Sequence, residues 1–240
     1  MTIFVLIHGA GTGGWLWDEV AHRLRERGHE VHAPTLVGVG DRIGEGGPAT
    51  DVSTHVAEVA GMVEARGIDD AVLVGFSYGG VVIAGVAEAL PERVAELVFV
   101  DAFVPVPGRS LFDLFPPAVR AAFEATAEDG WRLAPAPIAA VGGIGAVESG
   151  VDTERVLSLL QRRGQHPIGT YRQPLDQPFQ RAADVPRRYI SCTDKPDGDP
   201  MMATAARLRA AGWAVEDLPT GHFAMLTMPA RLTELLTAAH

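Results

Sequence analysis

Three short strings carry residue types that could do chemistry together. The first is Gly75-Phe76-Ser77-Tyr78-Gly79, a G-x-S-x-G pattern with an apolar run before it and a helix-forming run after it. In that setting a hydroxyl sits on a tight strand-to-helix turn, clear of its neighbours and free to attack an electrophile. The residues two before and two after such a serine crowd together, so both must be small. The start of the following helix favours the negative charge that develops there. The second string is Thr220-Gly221-His222-Phe223-Ala224. A serine hydroxyl is a poor nucleophile at neutral pH and needs a base that titrates near neutrality, a task suited to histidine. Of the eight histidines, His222 is the one that follows a strand end after the serine in sequence. The third string is His8-Gly9-Ala10-Gly11-Thr12-Gly13-Gly14. Its glycines let backbone N–H groups turn toward a ligand. An oxyanion hole needs two such donors, one from the residue after the nucleophile, Tyr78, and one from this loop, assigned by position to Ala10.

These strings must be brought to one place, and the elements around them predict how. Strand signals run over 4–8, 30–33, 71–76 and 94–101, then again over 188–193 and 213–218. Helical signals run over 17–27, from a cap at Asp51 or Ser53 to about 66, then over 77–90, 200–211 and 229–239. Alternation of this kind predicts an α/β fold with a mostly parallel sheet and helices on both faces. Between 105 and 185 the strand signal fades, Pro and Gly become frequent, and only helical patches remain at 118–127 and 153–163. The expected organisation is a core of 1–104 and 186–240 with a mostly helical cap, or lid, over 105–185. Ligands of open parallel sheets bind beyond the carboxyl ends of the strands. All three strings lie at such ends, and an insertion leaving from one is placed to roof them. Phe76, Phe103, Phe112, Phe115 and Trp131 are the expected walls of an apolar pocket.

Composition narrows the partners. The 240 residues are 47% apolar and 21% charged, as in an ordinary globular protein. Twenty Lys and Arg face thirty Asp and Glu, a formal net charge of −10, with no basic block. That disfavours nucleic acid and anionic membranes and suits a small substrate of little charge. The uncharged stretch 71–87 approaches membrane-spanning length, but Gly75, Ser77, Gly79, Gly80 and Gly85 fit a strand breaking into a helix better. Cys192 is the single cysteine, so no disulfide forms within the chain. The apolar N-terminus lacks a basic start, and a cytoplasmic location is expected. No histidines pair at metal-ligand spacing. The glycine loop lacks the Lys-Ser/Thr of a phosphate cradle, and Pro34-Thr35 stand where an acidic residue would hold a ribose. No metal, dinucleotide or flavin is expected. The oligomeric state is open, a homodimer included.

With these strings in view the chain resembles the α/β-hydrolases, and among them the small esterase and hydroxynitrile-lyase branch that includes plant methyl-salicylate esterases. The resemblance rests on VLIHGAGTGGWLW at 5–17, GFSYGG at 75–80, LVFVDAFVP at 97–105, YISCT at 189–193 and GHFAMLTMP at 221–229. It implies Ser77 as nucleophile, His222 as base, and the Ala10 and Tyr78 amides as oxyanion hole. The hydroxynitrile lyases of the branch carry a Thr where Gly9 stands and a Lys where Phe223 stands, which disfavours cyanide chemistry here. An ester hydrolase with an acyl-enzyme is the leading expectation. A lactonase or cyclase acting on a secondary metabolite, a lyase, and a non-catalytic ligand receptor are the alternatives.

The acid that should hold His222 has three candidates. The plant relatives place it two residues past a Cys-Thr pair, an offset that lands here on Lys195, with Asp194 one short and Asp197 two beyond. The haloalkane dehalogenases, which the chain also resembles, place it at the end of the preceding strand, which is Asp101 here. An Asp closing an apolar strand also demands a partner, because an unpaired buried charge is expensive. Asp101 is the first choice, with Asp194 and then Asp197 as alternatives.

Overall fold

In the computed structural model, which describes residues 1–238, the apolar runs become the strands of one parallel sheet. The elements of the first half are β1 (Ile3–Ile7), α1 (Asp18–Glu26), β2 (Glu30–His32), α2 (Val52–Ala65), β3 (Ala71–Phe76), α3 (Gly79–Ala89) and β4 (Val94–Val100). The insertion that follows holds α4 (Pro117–Ala125), β5 (Arg132–Leu133), α5 (Thr153–Leu160), β6 (His166–Pro167) and α6 (Gly169–Arg172). The chain then returns through β7 (Arg187–Cys192), α7 (Pro200–Ala210), β8 (Ala214–Leu218), α8 (Ala224–Thr227) and α9 (Pro229–Thr237). Among the described residues six strands pair in the order β2-β1-β3-β4-β7-β8, every pair parallel. Ile7 stands beside Gly75 and Gly75 beside Phe99, so β1, β3 and β4 end at one edge.

Alternation along the strands splits the interior into two cores. Val5 and Ile7 of β1 pack with α2, α3 and α7, while Phe4 and Leu6 pack with α1, α8 and α9. β3 is buried along its whole length, as a central parallel strand must be. Asp51 starts α2 through a reciprocal cap: the Thr54 N–H donates to its carboxylate at 2.9 Å, and the Asp51 N–H donates to the Thr54 hydroxyl at 3.3 Å.

The structure moves several boundaries. Residues 14–17 form a separate 3-10 turn, so the first helix starts at Asp18. The third helix starts at Gly79 because Ser77 has φ of +52°, which no helix accommodates. The insertion carries a short antiparallel ribbon of β5 against β6, where only helical patches were expected. Two-residue strands leave no alternation to read. The predicted last helix ran to Ala239, which with the terminal His240 lies outside the described residues.

Three buried histidines, His8, His55 and His166, join the insertion to the sheet edge. The Leu36 N–H donates to His8 Nε2 at 3.0 Å, so Nδ1 carries the proton and donates to the Gly9 carbonyl at 2.8 Å. His55 Nε2 donates to the Val37 carbonyl at 2.8 Å, and its Nδ1 accepts from the Tyr78 hydroxyl at 2.7 Å. His166 Nδ1 accepts the Gly11 N–H at 3.3 Å, and Nε2 donates to the Thr170 hydroxyl at 2.8 Å. Each ring is neutral with its tautomer set by a backbone group. Burial lowers His8 to about 4, lowers His55, and holds His166 well below the usual imidazole range.

Two outcomes follow for stability. A Cβ on Gly75 would lie 2.6 Å from the Gly79 carbonyl oxygen, a backbone atom that cannot swing away. Gly75→Ala is expected to lower unfolding free energy by about 1–3 kcal/mol, read from thermal melts. The histidines give a pH dependence. An unfolded His binds a proton below about pH 6.5, whereas folded His8 resists it until about 4. Stability is full above the unfolded value and falls as pH drops through this window, by about 3 kcal/mol for His8 alone. Urea midpoints at pH 7.5 and 5 measure it; equal midpoints would contradict the neutral network.

Candidate active site

Ser77 lies just past β3 in the left-handed region, with φ of +52°. A non-glycine residue there costs about 1–3 kcal/mol and persists only when its surroundings hold it. Its carbonyl accepts the Phe103 N–H at 3.0 Å and the Gly80 N–H at 3.2 Å. The small neighbours are required: a Cβ on Gly79 would meet the Ile7 carbonyl oxygen at 2.5 Å, and one on Gly9 would meet Ser77 Cβ at 3.0 Å. Phe76 and Tyr78 on either side are buried, whereas Ser77 is partly exposed and lines a cavity of about 340 Å³.

Ala10 lines the same cavity from the loop after β1. Among the described residues neither the Ala10 N–H nor the Tyr78 N–H donates to a protein acceptor. The loop is pinned on its far side, where the Gly164 N–H donates to the Gly11 carbonyl at 2.7 Å and Gly11 donates to His166. Two free donors on a fixed loop and a fixed turn suit a developing oxyanion. The Tyr78 side chain points away into the core, where burial pushes its phenol well above the ordinary value.

His222 lines the cavity with Ser77, and its ring centroid is 4.5 Å from that of Phe76, the residue before the serine. Its Nδ1 lies 2.5 Å from Asp101 Oδ2. A carboxylate only accepts, so Nδ1 carries the proton and Nε2 keeps its lone pair. Asp101 follows β4 with φ of +42° and is 0% exposed. Its Oδ1 also accepts the Cys192 N–H at 3.3 Å. Lys195, where the offset in the plant relatives falls, sends its ammonium to Asp101 at 2.9 and 2.8 Å and to Asp199 at 2.7 Å. Asp194 and Asp197 are exposed, and Asp194 Oδ2 instead accepts the Ala146 N–H at 2.6 Å. Among the described residues, Asp101 is the one of the three candidate acids in contact with His222. Burial, and then Asp101, push the Cys192 thiol well above its ordinary range, which leaves it an inert core residue.

The insertion touches both moving parts of this arrangement. The His222 N–H donates to the Gly143 carbonyl and the Gly221 N–H to that of Ile144, both at 3.1 Å. It also supplies Leu114, Phe115, Val119 and Phe123 to the cavity wall. Of the five aromatics named as pocket walls, Phe76, Phe103 and Phe115 line the cavity, and Phe112 and Trp131 do not. Phe112 is turned into the core against Tyr171, with ring centroids 5.3 Å apart. Trp131 precedes the β5 ribbon and lies against the Arg132 guanidinium, 5.6 Å from its ring centroid. Phe123, Tyr171 and Arg163 are lining residues that the sequence reading missed. Phe123 had a signal, since the helix places it one turn after Val119, a second apolar residue on the same face. Arg163 had none: its guanidinium donates to the Leu160 and Ala136 carbonyls at 3.1 and 2.8 Å, contacts that depend on the folded insertion.

Among the described residues no group of His, Cys, Asp and Glu is placed to hold a metal ion, and no helix is long and apolar enough to cross a membrane.

Comparison with known proteins agrees with this geometry. The profile of the alpha/beta hydrolase family matches residues 4–235. The chain is 36% identical over 241 residues to the carbendazim hydrolyzing esterase of Nocardioides sp. (strain SG-4G), across 99% of each chain. It is 33% identical over 115 residues to methyl jasmonate esterase 1 of Vitis vinifera, across 47% of this chain and 43% of that one. An extracellular alpha/beta-hydrolase from a Paenibacillus species superposes with a TM-score of 0.81 at 22% identity, covering 100% of this chain and 99% of the other. With the Ser77 turn, the strand order and the apolar cavity all of this type, the chain belongs to the alpha/beta hydrolase family, in the branch of its small esterases.

Proposed function

We propose that this esterase cleaves a small-to-medium carboxylic ester with an apolar acyl or aromatic part, through an acyl-enzyme on Ser77. Ser77 Oγ attacks the carbonyl carbon while His222 Nε2 takes its proton. The carbonyl π electrons move onto oxygen, and the Ala10 and Tyr78 amides hold that charge. Collapse breaks the ester C–O bond, and the departing alkoxide takes the proton back from His222. A water, deprotonated by the same nitrogen, attacks the acyl-enzyme; a second oxyanion collapses, and Ser77 leaves with the proton restored. Asp101 holds the Nδ1–H tautomer and stabilises the imidazolium without itself taking the proton.

The observation that carries this reading is the 2.5 Å contact of His222 with a fully buried Asp101 on the cavity that Ser77 and Ala10 line. The substrate class follows from the wall, in which apolar side chains, Phe76, Phe103, Phe115 and Phe123 among them, outnumber the polar ones. The insertion at 105–185 serves as the cap: it supplies half of that wall and covers the strand ends. The names of the relatives, one a carbendazim hydrolyzing esterase, support ester cleavage.

Stopped-flow hydrolysis of a p-nitrophenyl ester is expected to show a burst, and an organophosphonate is expected to label Ser77 at one per chain. Ser77→Ala should abolish both. Asp101→Asn is expected to lower kcat by about 10⁴-fold, with Asp194→Asn close to wild type. A silent Asp101→Asn beside a crippled Asp194→Asn would move the acid to Asp194.

A further inference from the structure

A second charged pair adjoins the Ser77–His222–Asp101 arrangement, with Asp199 on the wall of the same cavity, and ester cleavage as written above does not call on it. The Lys195 side chain is 0% exposed, as is Asp101, and Asp199 is 9% exposed. One ammonium spans both Asp101 oxygens and reaches Asp199 Oδ1 at 2.7 Å. Asp199 is held in turn at the start of α7, where Oδ1 accepts the Met201 and Met202 N–H groups at 2.8 and 3.3 Å. The insertion closes over the lysine, since a Cβ on Gly142 would meet Lys195 Cδ at 2.7 Å.

We propose that Lys195 and Asp199 are positioning residues for Asp101 that work only as a balanced pair. This rests on the esterase reading above. The argument is one of geometry and charge count. Asp101 needs its carboxylate plane fixed so that Oδ2 meets His222, and an ammonium shared by both oxygens fixes it. An ammonium alone would also cancel the negative charge that must stabilise the imidazolium, and in a dry site that cancellation is large. Asp199 restores the count. Asp101 and Asp199 contribute one negative charge each and Lys195 one positive, so the buried group carries a net −1, as a lone acid would. When His222 takes the Ser77 proton the sum becomes zero. Position is gained with the charge unchanged.

A pair that merely stapled the 194–199 loop to β4 would behave differently, and variants separate the two. Asn caps a helix about as well as Asp, so Asp199→Asn keeps the start of α7. It leaves the buried group at zero net charge. It is expected to lower kcat by about 10–100-fold, the usual cost of losing such an outer partner, with KM near wild type. The double variant Lys195→Met/Asp199→Asn returns the count to −1 and is expected to recover most of that kcat. Lys195→Gln/Asp199→Asn, with the same count, serves if the Met version folds poorly by circular dichroism. The low-field proton resonance of the His222–Asp101 bond should be displaced in Asp199→Asn and restored in the double variant. A double variant as slow as Asp199→Asn or slower, or a wild-type kcat in Asp199→Asn, overturns the proposal. Organophosphonate labelling of the wild type reports separately: an unlabelled Ser77 removes the esterase reading and this inference together, whereas a labelled one with no recovery removes this inference alone.

Discussion

A carboxylate with no exposed surface at the end of an apolar strand has to be answered by donors, and the fold around Asp101 is arranged to answer it. Four N–H donors converge on its two oxygens, from His222, from Cys192 and, twice over, from Lys195. They come from two separate connections, His222 after β8 and the others from the end of β7 and the loop that leads from it to α7. The parallel sheet makes this convergence cheap. Its strands all end at one edge, so groups far apart in sequence meet there without long reaches of chain. An imidazole fixed by Asp101 is directed by the same edge to the cavity that holds Ser77.

The second constraint is steric. The turn at Ser77 brings three stretches of backbone within van der Waals contact: the β1 end, the turn itself and the segment after Asp101. Gly9, Gly75, Gly79 and Gly80 each sit where a Cβ would strike a neighbour at 3.0 Å or less. For Gly75, Gly79 and Gly80 the obstacle is mainly backbone, so no rotamer change could relieve it. The same close approach leaves Ser77 the partly exposed residue in a run of buried ones. Exposure of Ser77 and burial of its surroundings are one geometric fact.

What the sequence made legible follows from range. Ser77, Ala10 and Tyr78 belong to local patterns, in which type and spacing report a turn. His222 was readable because it follows a strand end. Asp101 was readable as a charge at the end of an apolar run that demanded a partner, but its choice over Asp194 needed the spatial neighbour. The Lys195–Asp199 pair was not readable at all. The string Asp194-Lys195-Pro196-Asp197-Gly198-Asp199 looks like a solvated turn, and only the covering insertion makes its lysine buried. The insertion was the weakest part of the reading for a related reason. Its aromatics share one composition, and nothing local separates Phe115, on the cavity, from Phe112, three residues earlier and turned into the core. Orientation there is set by folded neighbours: Phe115 stacks on Phe123 and Tyr171, whereas Phe112 meets Tyr171 at a tilt and takes the Arg120 guanidinium over its face.

The insertion therefore does two things with one piece of chain. Gly143 and Ile144 accept the N–H groups of His222 and Gly221, Gly164 and His166 hold Gly11 beside the free amide of Ala10, and Ala146 is tied to Asp194. The residues that shape the cavity wall are spaced among these anchors, Ala140 and Val141 just before the Gly142-Gly143 pair, and Arg163 immediately before Gly164. A change in the wall consequently transmits to His222 or to the Ala10 loop unless the adjacent anchor is kept. The neutral His166 is the tightest case. As a hydrogen-bond acceptor from Gly11 it must stay unprotonated, which its burial ensures, and that burial exists only while the insertion is seated. The cavity wall and the placement of His222 and Ala10 are set by the same contacts, so a wall residue can be exchanged freely only where no backbone anchor lies beside it.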